Sequence, residues 1–387
     1  MLQLAAAITL TLNALAASAA LMGDPSPLHE AAERLQRQTP ALMASARVPG
    51  LAMALIADTR VVWQGAFGLA NARTREPVTQ ETVFEAASLS KPVFAYAVLQ
   101  LADAGLLDLD MPLVQYLPGG YDVGDESRLA QITVRHVLSH RTGFPNWRAA
   151  GAPLTIHFTP GERFSYSGEG FVYLARVVEG VTGESIERTV KRLVFDPLGM
   201  AHSSFLWQDS HVQRKVFGHD ARGEPQQQRR FAAANPAASL STTAPDFGRF
   251  LVAVLKGERL KPETAAQMLR SQVRVGPFTS SIGRLATPLL EEVTWGLGWA
   301  LQQHDGDEAF WHWGDNGSSK AFAVVSRTQR RGLVFFANSV NGLAIAPDLV
   351  ALALGEGRQP GLDWLDYRRW QQLPHSGRRD VGVVFAP

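Results

Sequence analysis

The stretch SLSKPVFAYAVLQLADAG, Ser88 to Gly105, limits what this chain can fold into more than any other. Beyond Lys91 its side chains are almost uniformly apolar, with Phe94, Val98 and Leu101 in helical register and Gly105 as a stop. A helix with no polar face belongs in the middle of a protein, so the remaining chain must wrap around it. With 387 residues, 46 % of them hydrophobic and 19 % charged, there is enough chain and enough apolar surface to do so. Lys plus Arg number 37 against 36 for Asp plus Glu, and no basic block stands out, which argues against a nucleic-acid partner. The absence of cysteine excludes disulfides, thiol catalysis and cysteine-ligated zinc.

The spacing of Leu28, Ala31, Leu35 and Leu42 predicts a helix over residues 28–45. LAMALIA (51–57) and RVVWQGAFGLA (60–70) follow as two strands joined by Asp58-Thr59. Residues 106–274 divide at prolines into short helices and loops, and GHDARGEPQQQRR (218–230) reads as an exposed excursion. Strand signals return in WGLGWAL (295–301), EAFWHWG (308–314), AFAVVS (321–326) and GLVFFANS (332–339), before a helix over 345–355. Strands at both ends with helices between predict an α+β fold. It has an antiparallel sheet flanked by helices and built from both chain ends, with an inserted helical lobe. The expected lobes are 28–105 with 275–355, and 106–274. The extension 356–387 is expected to pack through Trp364, Tyr367 and Trp370.

No charged side chain precedes Asp24, and Ala17-Ser18-Ala19 offers a small-residue cleavage pattern, although no Lys or Arg lies near Met1. Residues 1–20 are read as an export signal that sends the chain to the periplasm or the exterior; an uncleaved membrane anchor is the second reading.

Ser88 and Lys91 stand three residues apart, nearly one helical turn, and of six lysines only Lys91 has a serine at that spacing. A serine hydroxyl needs a base before it can attack a carbonyl, and a buried lysine is pushed toward the neutral form that can serve as one. The alternative is that Ser88 caps the helix and Lys91 is a solvated first-turn charge. Two further segments bear on this choice. PGERFSYSGEG (160–170) sets Tyr166 in a loop, where a nearby lysine would ease its ionisation and make it a general base. In FWHWGDNGSS (310–319), Gly314 would let a substrate backbone approach the strand that carries His312.

In this order the three segments resemble the serine β-lactamase-like hydrolases, a group that includes class C β-lactamases, DD-peptidases and esterases. The family's S-x-x-K matches Ser88 to Lys91, its Tyr-x-Asn matches Tyr166-Ser167-Gly168 without the asparagine, and its Lys/His-Thr-Gly matches His312-Trp313-Gly314. LSHRTGFP (138–145), FDPLGM (195–200), SLSTTAPDFGRF (239–250) and WGLGW (295–299) match as well, and the likeness spans roughly residues 28–355. The resemblance implies a β-lactamase/transpeptidase-like fold and an acyl-enzyme on Ser88, with Lys91 and Tyr166 sharing the base work. It also implies an oxyanion hole from the N–H groups of Ser88 and Asp315, and a His312 that lies beside the leaving group or steadies Tyr166. No metal or cofactor is implied; the partner is a small ester, amide or peptide, and a membrane only if the leader stays uncleaved.

Two departures bear on substrate. Gly168 removes the asparagine that holds a substrate amide carbonyl in the family, and Trp313 puts an indole where a small hydroxyl residue is usual. Both favour a less polar acyl pocket lined or narrowed by Trp313, and Glu169 reads as an exposed loop residue. The expected function is that of an esterase or a peptidase/amidase. A penicillin-binding DD-peptidase or class C-like β-lactamase is the alternative within the family, and a non-catalytic wall- or ligand-binding protein the alternative outside it. His136 and His140 are four apart, but Val137 stands where a zinc-hydrolase motif needs glutamate, so structural hydrogen bonds are expected of them.

Overall fold

The computed structural model describes residues 27–149, 151–275 and 292–367. Residues 1–20, Trp370 and part of the 275–355 segment therefore lie outside the described residues. Among the described residues nine antiparallel strands form one sheet in the order β3-β2-β1-β11-β10-β9-β8-β7-β6. The N-terminal part supplies β1 (Gly50–Ala57), β2 (Arg60–Asn71) and β3 (Glu76–Pro77). After a separate pair, β4 (Phe84–Glu85) and β5 (Ser241–Thr242), the later chain supplies the rest. These are β6 (Val273–Arg274), β7 (Val293–Trp295), β8 (Ala300–His304), β9 (Asp307–Asp315), β10 (Lys320–Ser326) and β11 (Arg331–Ala337). Strand β1 pairs with β11, which joins the two chain ends at the centre of the sheet. The α+β architecture read from the sequence is the one observed.

Both faces of the sheet are covered, which explains why its central strands read as unbroken apolar runs. Along β1, Leu51, Met53 and Leu55 pack with Leu35 of the Pro27–Ala46 helix and Leu349 of the Ala346–Leu354 helix. Ala52, Ala54 and Ile56 face the opposite core with Phe94 and Phe247. The Ser90–Asp103 helix runs through that second core, and every side chain from Ser90 to Leu101 is buried. Asp58 and Thr59, both at positive φ (48° and 69°), make the β1–β2 link a tight hairpin whose twist matches its strands. Among the described residues no helix is long and apolar enough to cross a membrane.

Two expectations need correction. WGLGWAL is not one strand: β7 ends at Trp295, a turn spans Gly296 to Trp299, and β8 begins at Ala300. Gly298 adopts φ +86° there, and a Cβ on it would meet Ala95 Cβ of the central helix at 2.5 Å. The turn is thus pressed onto that helix, which only glycine permits. The 218–230 excursion is exposed only in part. His219 is fully buried, bonding the Asn338 carbonyl through Nδ1 at 3.0 Å and accepting the Ala72 N–H on Nε2 at 3.1 Å. The described part of the tail packs on the body: Trp364 meets the ring of Trp313 at 5.8 Å between centroids.

Candidate active site

Ser88 sits in a single 3-10 turn, Ala87–Leu89, that precedes the central helix. Ala87 adopts φ +49°, a conformation that costs a non-glycine residue about 1 kcal/mol. Ser90 holds it there: its Oγ donates to the Ala87 carbonyl at 2.5 Å and accepts the Leu240 N–H at 2.9 Å. The helix begins after Ser88 and has no side-chain cap, so Ser88 is not its capping residue. The half-buried Ser88 hydroxyl instead meets Lys91 Nζ at 3.0 Å.

Lys91 is wholly buried, and its second bond goes to the Ala237 carbonyl at 2.9 Å. Aromatic rings enclose the amine, with centroids at 4.7 Å (Tyr166), 5.8 Å (Trp147) and 5.9 Å (Phe171). Among the described residues no carboxylate forms an ion pair with it. Burial without a counter-charge holds its pKa well below the ordinary lysine value.

The Tyr166 ring, 2 % exposed, is stacked on His140 at 4.3 Å and tilted against Trp313 at 5.0 Å. Burial pushes its pKa up, opposed in part by the neighbouring Ser88 hydroxyl. The phenol oxygen lies near enough to Ser88 to feel it but meets no partner at full hydrogen-bond geometry. This corrects the expectation that the lysine eases Tyr166 ionisation: burial dominates and pushes the phenol the other way. His312 is fully buried on β9, with Nδ1 2.7 Å from the Trp313 carbonyl and its ring 6.1 Å from Tyr166. Burial, then the Lys91 charge, lowers its pKa to about 3, so it is neutral at physiological pH.

Gly314 does not leave space for a substrate. A Cβ there would lie 2.3 Å from the Ala86 carbonyl, so the glycine lets β9 press against the turn that carries Ser88. Asn316 fastens the same contact by donating to Glu85 Oε2 at 3.2 Å and to the Ala238 carbonyl at 3.1 Å. Between them Asp315 is paired with Lys320 at 2.5 Å. Trp313 does not line a cleft either; it is 4 % exposed and backs Tyr166 from the Trp311–Trp364 cluster.

Gly168 opens the Gly168–Thr182 helix, capped by the Ser167 side chain. Glu169 is buried, contrary to the loop reading, because its carboxylate takes the Arg148 N–H at 3.1 Å and the Arg148 guanidinium at 3.2 Å. His136 has the expected structural role, accepting the Thr133 N–H on Nδ1 at 3.4 Å in a capping box. His140 also makes a structural bond, accepting the Ser167 N–H on Nδ1 at 3.0 Å, but its ring forms a wall of the site behind Tyr166. Sequence reasoning missed that wall, as it missed Trp147 and the Ala237 carbonyl. Trp147 closely follows the LSHRTGFP match and Ala237 closely precedes SLSTTAPDFGRF, so proximity to those matches was the only available signal.

Comparison with known proteins points the same way. The family model described as Beta-lactamase matches residues 35–355. Penicillin-binding protein 4 of Amycolatopsis lactamdurans is 29 % identical over 350 residues, covering 83 % of this chain and 89 % of that one. Esterase EstB of Burkholderia gladioli is 29 % identical over 289 residues, covering 60 % and 72 %. The octameric penicillin-binding protein homologue from Pyrococcus abyssi shares the fold, with a TM-score of 0.70 at 24 % identity over 85 % of this chain and 78 % of that one.

Proposed function

The chain belongs to the Beta-lactamase family and is a serine hydrolase, and on that premise we propose that Ser88 forms an acyl-enzyme on small ester or amide substrates. One observation carries this assignment: Lys91 is fully buried, has no carboxylate partner among the described residues and stands 3.0 Å from the Ser88 hydroxyl. The neutral amine takes the Ser88 proton as Oγ attacks the carbonyl carbon. Negative charge then develops on the carbonyl oxygen, and the N–H groups of Ser88 and Asp315 receive it. The loss of one such donor typically costs about 3 kcal/mol of transition-state stabilisation. Collapse breaks the bond to the leaving alkoxide or amine, which leaves protonated by way of Tyr166 and Lys91. Tyr166 keeps its proton in the resting enzyme and relays it, and His312 steadies its ring as a neutral imidazole. Water, deprotonated by the same pair, attacks the acyl carbon and releases Ser88.

Labelling by a fluorophosphonate probe tests the nucleophile. The wild type is expected to gain one adduct on Ser88 and the Ser88→Ala variant none; an unlabelled wild type would leave a ligand-binding role instead. A penicillin-recognising enzyme is the second reading, favoured by the likeness to the Amycolatopsis penicillin-binding protein. Intact mass after exposure to benzylpenicillin separates the two, since only that reading gives a penicilloyl adduct or drug consumption. Residues 1–20 we read as a leader for export to the periplasm or exterior, which predicts a secreted form beginning shortly after Ala19.

A further inference from the structure

We propose that Trp147 sets the substrate class of the Ser88 site, selecting carboxylic esters with apolar acyl groups over acyl-amides and β-lactams. The proposal rests on the acyl-enzyme reading above. A Cβ built on Gly168 would lie 2.5, 2.7 and 2.8 Å from Trp147 Cη2, Cζ3 and Cζ2. The six-membered edge of the indole therefore occupies the space into which a side chain at 168 would project, the asparagine of the Tyr-x-Asn pattern included. The same ring centroid is 5.8 Å from Lys91 Nζ. Trp147 is only half-buried, so part of the indole stays accessible, and its ring lies near the lysine that bonds Ser88.

The residues on either side fix the ring in place. The Asn146 carbonyl accepts the N–H groups of Gly168 and Glu169 at 2.9 and 3.0 Å, and Asn146 Oδ1 accepts the Gly168 N–H at 3.0 Å. Arg148 is held by both oxygens of the Glu169 carboxylate and lies over the Tyr121 ring at 5.7 Å. With its neighbours on both sides pinned to one helix end, Trp147 is a fixed wall.

The chemistry of that wall discriminates between substrates. An amide carbonyl beside the scissile bond needs a hydrogen-bond donor when it leaves water, and aromatic carbon supplies none; the loss corresponds to roughly a 10- to 100-fold disadvantage. An ester with a plain hydrocarbon acyl chain has no such group to satisfy and packs its chain on the indole.

Four proteins test this: wild type, Trp147→Leu, Gly168→Asn and the Trp147→Gly/Gly168→Asn double variant. The readouts are kcat/KM on p-nitrophenyl esters from acetate to octanoate, acylation by benzylpenicillin followed by intact mass, and fluorophosphonate labelling of Ser88. The wild type is expected to prefer longer acyl chains. Trp147→Leu should flatten that preference at least fivefold, mainly through KM. Gly168→Asn alone should be impaired on every ester or fail to fold, and the double variant should acylate with penicillin at least tenfold faster than wild type. An unchanged chain-length profile in a labelled Trp147→Leu protein, or a Gly168→Asn single variant that already accepts penicillin, overturns the inference and leaves the hydrolase intact. A wild type that does not label at Ser88 overturns the hydrolase reading, and this inference with it.

Discussion

Lys91 and Lys215 are both buried, one beside Ser88 and the other beside Glu85 of the short β4 strand, yet the molecule surrounds them differently. Lys215 Nζ lies 3.5 Å from Glu85 Oε1 and donates to the Arg229 carbonyl at 3.0 Å, between the rings of Trp207 and Phe231. Lys91 has a similar aromatic cage and one backbone carbonyl, but its remaining partner is the Ser88 hydroxyl. Burial lowers both pKa values, and at Lys215 the Glu85 carboxylate pulls the other way. A third buried lysine, Lys320, is paired with Asp315. Among the described residues, then, Lys91 is the buried lysine without a carboxylate partner, and it is the one beside the serine.

The sharpest way to break the comparison is to remove each amine. Lys91→Met should lower kcat by about 10³-fold, the usual scale for a lost general base. The same change should raise stability by roughly 1–2 kcal/mol, because function holds the amine in a site that penalises its charge. Since the folded pKa of Lys91 is depressed, the unfolded chain binds the extra proton below pH 10.5. The stability advantage of the variant should thus shrink as pH rises toward that value. Thermal unfolding at pH 7.5 and pH 10 checks both points.

Lys215→Met should do the opposite. It strips Glu85 of its nearest cation and should cost about 3 kcal/mol in denaturant unfolding. Turnover per folded molecule should fall far less than in Lys91→Met. Equal losses of turnover would show that the two lysines do not differ in role.

A subtler test alters the frame that holds Ser88 against Lys91. Gly314→Ala would press a methyl group into the Ala86 carbonyl and should cost roughly 2 kcal/mol by overpacking, with a fall in kcat as the turn shifts. A fully active, fully stable Gly314→Ala protein would show that this contact does not position Ser88.

Acid extends the logic to the site's histidines. His312, held to about 3, and His140, held well below its ordinary value, are buried and neutral. In the unfolded chain each takes up a proton below about pH 6.5, so stability should fall as pH drops through that window. The slope should be about 1.4 kcal/mol per pH unit for each histidine. His312→Phe should reduce the slope measured by urea unfolding between pH 6 and pH 4.5.

The parts of this arrangement that were legible in the sequence are those whose partners are close in the chain. Ser88 and Lys91 stand three residues apart, and the apolar runs at Leu51–Ala57 and Ala321–Ser326 announce strands of an antiparallel sheet. What stayed hidden depends on distant contacts. Nothing near Gly314 indicates that its neighbour is Ala86, and nothing near Gly168 indicates that Trp147 fills its empty side. Trp313 read as a cleft residue because the sequence does not reveal the Trp311–Trp364 cluster that holds it behind Tyr166. Glu169 read as exposed because its partner, Arg148, lies in another loop. The WGLGW run read as one strand because a turn pressed onto a buried helix can be as apolar as the strands beside it.

The most direct test of the central claim is the protonation state of Lys91 itself. Lysine-¹³Cε-labelled protein has six lysine signals to follow by NMR across pH, and the Lys91→Met variant identifies the one of interest. We expect the Lys91 signal at the neutral-amine position at pH 7.5, while the Lys215 signal there is still that of an ammonium. A Lys91 signal that stays at the ammonium position until pH 10 or above would contradict the account, because a charged lysine cannot take the Ser88 proton.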